Sequence, residues 1–248
     1  TGEIEFAVTA ANAYCYMSYI SGKEITTQEK DITSYSHTMA RFKHEGGLRL
    51  NDLFHQVVLN LLECSDKTTS KPYCLNGDKF IEETMLPQLI HSNDRTTLCL
   101  FYFNKLNLCY WFGEYSQAVA NANLAEQYLD GVTGLCFTPL FYFYDSLARL
   151  AIYPQLAAPG KFHQLYRQAR LLRKVATNQQ KMKKWAHHAP MNYLHKYLLV
   201  EAERARVLGK INVAREYYHK TIALAQEHEY LQEEALAYEL AAKFYQSR

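Results

Sequence analysis

The residues best equipped for chemistry in this sequence of 248 residues gather around one proline. His187, His188 and His195 flank Pro190, and Trp185 stands beside them. Imidazoles bind zinc and other metals, but a site needs three or four convergent donors, usually with a thiolate or carboxylate among them. None stands at a diagnostic spacing here, so the sequence favours a helix-start loop whose imidazoles cap backbone groups or pack on Trp185. His55, Cys64 and Asp66 suggest a nucleophile with its base. On one predicted helix, Cys64 and His55 lie about 13 Å apart along the axis and cannot meet within it.

A different chemistry is carried by charge. From Lys161 to Lys184 the chain has Lys161, Arg167, Arg170, Arg173, Lys174, Lys181, Lys183 and Lys184 and not one acid. Arg167, Arg170, Lys174 and Lys181 fall on one side of the expected helix, opposite an apolar stripe of Phe162, Leu165, Tyr166, Ala169, Leu172 and Ala176. Such a face is either simply solvated or a docking surface for an acidic partner domain, with membrane headgroups or nucleic acid a distant third. The aromatic run Phe141-Tyr142-Phe143-Tyr144 covers all sides of its helix and reads as core packing. There is no G-x-x-x-x-G-K-[ST] phosphate loop, no Gly-rich kinase loop and no kinase catalytic-loop pattern. The expectation is a scaffold with no catalytic residues, cofactor or metal of its own.

The elements that would position these residues are helices. Ten Gly and six Pro are few for a chain of this length, and Leu, Ala, Glu, Gln and Lys favour helix. Twenty tyrosines need packing to justify them. A formal charge of +2 gives no general attraction to nucleic acid or membrane. No apolar run approaches the ~20 residues of a membrane span. Cys15, Cys64, Cys74, Cys99, Cys109 and Cys136 form no CxxC pair and read as buried thiols of a cytoplasmic protein, although Cys64 and Cys74 bracket a polar loop and could be bridged.

Periodicity gives the order. Leu194, Leu198, Ala202, Ala205 and Leu208 form a stripe closed by Gly209. Ala214, Tyr217, Tyr218, Thr221, Leu224 and Ala225 form the next. The last segment carries two stripes, Leu231, Ala235, Tyr238, Ala242, Tyr245 and Leu236, Leu240, Phe244, and is expected to be buried on both sides. Upstream, Gly22 and Gly113 close helices. Thr26 with Glu29 reads as a capping box, Gly46-Gly47 as a break, Asp78 as a cap, and Thr138 before Pro139 as a helix start. Ala158-Pro159-Gly160 reads as a loop. Pairs are expected near 1–45, 49–92, 94–131, 138–182 and 191–228, with a single helix at 230–248. Helix ends recur every roughly 40 to 56 residues, the range of helical-hairpin repeats with insertions.

The run YLHKYLLVEAERARVLGKINVAREYYHKTIALAQEHEYLQEEALAYELAAKFY from Tyr193 to Tyr245 resembles the tetratricopeptide-like region of very large bacterial hybrid signalling kinases. KMKKWAHHAPMNYLHKYLLVEAE around Trp185 and WFGEYSQAVANANLAEQYL from Trp111 are similar to it as well. Those proteins join a Ser/Thr kinase domain, a P-loop ATPase domain, a helical repeat region, a GAF sensor and often a histidine kinase. The resemblance implies an all-α, degenerate tetratricopeptide-like right-handed superhelix of antiparallel helix pairs. It implies a regulatory scaffold coupling ATPase and sensor parts, with the parent's other domains as partners; the alternative is an adaptor for a separate peptide or protein. With no stop signal near Arg248 and no natural Met at Thr1, the chain is expected to be a section of a longer protein.

Overall fold

A computed structural model describes residues 2–63, 71–156 and 162–247. Among them are eleven α-helices packed as sequential antiparallel neighbours. They are α1 (Gly2–Ile20), α2 (Ile25–Arg41), α3 (Glu45–Glu63), α4 (Glu82–His91), α5 (Arg95–Trp111), α6 (Tyr115–Ala125), α7 (Phe137–Ile152), α8 (Phe162–His188), α9 (Pro190–Val207), α10 (Ile211–Glu227) and α11 (Leu231–Gln246). A 3₁₀ segment, Glu126–Val132, extends α6.

The packing separates into two layers. Odd-numbered helices touch in succession, α1 on α3, α3 on α5, α5 on α7, α7 on α9 and α9 on α11. α2, α6, α8 and α10 pack on both odd-numbered neighbours, and α4 packs on α5. The inner layer carries the core: every residue from Thr97 to Tyr110 of α5 and from Pro139 to Ala148 of α7 is buried. Helices with predominantly apolar side chains on every face must be covered all round. Phe137 joins four of them, its ring centroid 5.1 Å from Tyr16 of α1, 6.1 Å from Phe54 of α3 and 5.5 Å from Phe103 of α5.

The turns repeat one geometry. Gly22, Gly113 and Gly209 have φ of +78°, +82° and +70°, the left-handed conformation that ends a helix with least strain in glycine. Lys43, Asn93 and Glu229 adopt the same conformation after α2, α4 and α10, where the sequence gives a weaker stop signal. Each turn sends the next backbone N–H back to the helix, as in Glu114 N to Cys109 O at 2.8 Å and Tyr230 N to Ala225 O at 2.9 Å.

The two ends of the array meet. Gln232 of α11 donates from Nε2 to the carbonyl of Tyr19 in α1 at 3.0 Å, and its side chain lies over Gly22, where an added Cβ would sit 3.1 Å from it.

Several local expectations are corrected. Gly46 and Gly47 lie inside α3, because a glycine flanked by good helix contacts costs too little to break it. The cap of α2 is Glu24, which accepts from Thr27 N, while Glu29 turns to Thr33 and His55. α4 begins at Glu82, beyond Asp78, and α7 begins at Phe137, so Thr138 is already helical. Asp94 caps α5 through Thr97 N. In α11, Leu231, Tyr238 and Tyr245 are exposed, so only the Leu236, Leu240, Phe244 face is buried. α8 runs to His188, beyond the expected end at 182. Its buried face is Leu171, Val175, Met182 and Ala186, and Leu165 and Tyr166 of the expected stripe are 64% and 63% exposed. The reason is length: α8 spans about 40 Å against about 24 Å for α7, so its first turns overhang.

Gly131 tests the packing of the 3₁₀ segment on α5. A Cβ there would stand 2.7 Å from the Arg95 carbonyl carbon, a backbone atom that cannot swing away. Gly131→Ala is expected to cost about 1–3 kcal/mol in urea unfolding. Gly46→Ala, with open space at its Cβ and a helical backbone, is expected to gain about 0.5–1 kcal/mol.

Candidate functional site

The cationic surface forms where α8 leans across the ends of α6 and α7. α7 is tied to α8 by a buried polar group. Asp145, fully buried, accepts from Arg149 Nε at 2.7 Å and from Asn178 Nδ2 at 2.7 Å, and Asn178 also reaches Ser146 Oγ at 3.2 Å. Burial pushes the Asp145 carboxyl up, and the Arg149 guanidinium opposes this. The staple aims Arg149 outward, where its Nη2 donates to Asn123 Oδ1 at 2.7 Å.

Between these helices lies a groove of about 460 Å³. Arg149, Arg167, Arg170 and Lys174 line it, against one carboxylate, Glu126. Lys174 is bound to Glu126. Among the described residues, Arg167 and Arg170 have no ion-pair partner, and both side chains are exposed. Lys181 stands apart from the groove, donating to Tyr142 Oη at 2.6 Å with its ammonium 4.1 Å from the ring centre. Of the four expected docking cations, three therefore line one groove and one is held on α7. Lys161 and the 158–160 loop lie outside the described residues. Arg149 and Glu126 escaped the sequence reading because they come from other helices. The i, i+4 spacing of Asp145 and Arg149 was the only local signal.

The histidines do not converge. His187 and His188 occupy the last turn of α8, with ring centres 5.2 Å apart, instead of a loop. Trp185 packs on Tyr142 and Tyr193. His195 is fully buried in α9. Lys196 Nζ donates to its Nε2 at 2.9 Å, which leaves the ring proton on Nδ1, where it has no partner among the described residues. Lys196 also pairs with Glu233 of α11 at 2.9 Å and lies 4.1 Å from the centre of the Tyr230 ring. Burial lowers the Lys196 ammonium, and Glu233 opposes that shift. Among the described residues no group of three or more His, Cys, Asp or Glu side chains could hold a metal ion.

His55 is buried, and its Nε2 contacts Glu29 at 3.2 Å and Thr33 at 3.3 Å; burial lowers its basicity. Cys64 and Asp66 lie outside the described residues. Cys15, Cys74, Cys99, Cys109 and Cys136 are free thiols, and burial raises Cys15 and Cys99 to about 12, far from a reactive thiolate. The Phe141–Tyr144 run is buried throughout. Among the described residues no helix is long and apolar enough to cross a membrane.

No protein-family model, curated protein or solved structure matches this chain.

The His195 environment has a measurable consequence. Burial, then the Lys196 charge, push its imidazole down to about 2. The unfolded chain therefore binds a proton below about pH 6.5 that the folded chain refuses, so stability falls with pH in that window. Between pH 6.5 and pH 5 the expected loss from His195 is about 1.5 kcal/mol. Urea titrations at the two pH values should show the loss, and His195→Gln should reduce it.

Proposed function

We propose that this chain is a non-catalytic interaction scaffold that docks an acidic surface of a partner domain in the groove between α6, α7 and α8. One observation carries the reading. The overhanging start of α8 leaves Tyr166 63% exposed one turn before Arg170, and among the described residues neither Arg167 nor Arg170 has an ion-pair partner. A merely solvated face needs no such apolar tip. A docking surface uses it as an anchor while the guanidiniums select carboxylates and steer the approach.

The alternation of inner and outer helices and the repeated left-handed turns support a degenerate tetratricopeptide-like superhelix. With the resemblance of residues 193–245, they support a place between the ATPase and sensor parts of a multidomain signalling kinase. Docking that favours one arrangement of the array would then shift the population of active parent protein. The non-catalytic reading is supported by His55 and His195, both held in interior contacts.

Binding of the purified chain to separately purified kinase, ATPase and sensor domains tests the proposal. One of them is expected to bind, more weakly as salt rises, and Arg167→Glu with Arg170→Glu should weaken it at least tenfold with helix content unchanged. Binding that survives both reversals overturns the groove as the docking surface. Tight capture of an unrelated acidic peptide with no domain binding would favour the adaptor reading.

A further inference from the structure

On the inner face, away from α8, α11 stands across a cleft of about 360 Å³ facing α3, α5 and α7. Trp111, Tyr115 and Tyr144 form one wall, and Leu236 and Leu240 of α11 the other. Trp111, Tyr144 and Gln232 also line a recess of about 10 Å³, room for one group the size of a water molecule or an ammonium head. Two polar groups in the recess lining are unpaired. Tyr19 is 6% exposed and Asn107 2% exposed, and among the described residues neither the Tyr19 hydroxyl nor Asn107 Oδ1 has a hydrogen-bond partner. Buried polar groups are nearly always satisfied, so two orphans lining one small recess point to a missing donor.

We propose that this cleft binds a primary ammonium ion with an apolar tail, its head in the recess against the Tyr19 and Asn107 oxygens and its tail between the aromatic wall and α11. Aromatic faces attract a cation through the ring quadrupole, most strongly when it is desolvated. Burial and the nearby Glu233 carboxylate hold the Tyr144 phenol well above its ordinary value, so that ring stays neutral. The carboxylates at the cleft are already engaged, Glu233 by Lys196 and Glu239 by Lys243. Selection of a cation therefore rests on the rings and the two unpaired oxygens. Gln232 lines the cleft and holds the Tyr19 carbonyl, so an occupant would also bear on the contact between the two ends of the array.

Calorimetric titration with phenethylamine and with 2-phenylethanol separates ammonium recognition from apolar filling. The amine is expected to bind at least tenfold more tightly than the alcohol. Tyr19→Phe and Asn107→Leu, singly and together, should erase that preference without lowering stability, because the atoms removed have no partners. Equal affinity for the two probes, no binding of the amine, or a preference that survives Tyr19→Phe overturns the proposal. The single variant keeps the test decisive should the double variant fold poorly.

Discussion

Two helices that are buried on every side impose the rest of this structure. α5 and α7 have no solvent face along most of their length, so each must be enclosed by neighbours in every direction. A simple stack of hairpins covers an inner helix from one side and from before and after. The remaining side is closed here by the two ends of the chain: α1 reaches Phe137 through Tyr16, and α11 lies across the cleft from Trp111 and Tyr144. The contact between Gln232 and Tyr19 follows from that requirement. An aromatic core makes such closure worthwhile, since each large ring removes ample apolar area from water and still tolerates tilted contacts.

Within that apolar frame, polar side chains fix how the layers slide. Asp145, Arg149 and Asn178 bind α7 to α8, and Lys196 with Glu233 binds α9 to α11. Ions this deep contribute little net stability, because desolvation offsets most of their attraction. Their effect is on register, since a slip by one turn would leave a charge buried alone. With α8 held in this way, its surplus length projects beyond α7 and displays the cationic groove. The same fixed register holds α11 opposite Trp111 and leaves the recess oxygens without partners.

Helices bounded by strong punctuation were legible in the sequence. Gly113 and Gly209 follow apolar stripes and sit at left-handed turns, and Pro190 starts α9. Where stops were Lys43, Asn93 or Glu229, the same turn is formed by residues with weaker preference, held by packing on either side. The α8 stripe was misread because Leu165 and Tyr166 are apolar at helical spacing yet lie beyond the reach of α7. Periodicity reports a face and says nothing about whether a neighbour is long enough to cover it. The cationic segment was visible as composition, but its division was not: Lys174 and Lys181 meet partners more than thirty positions away. The inner cleft left no local signal, since Tyr19, Asn107, Trp111, Tyr144 and Gln232 come from four helices.

Closure of the array is the claim on which the core, the register and the cleft all depend. Nuclear Overhauser contacts between the Gln232 side-chain amide and the Gly22 α-protons measure it directly. Strong contacts are expected, because the Gln232 side chain lies over Gly22. Their absence in the folded protein, with a red-shifted Trp111 emission reporting an open inner face, would contradict the account.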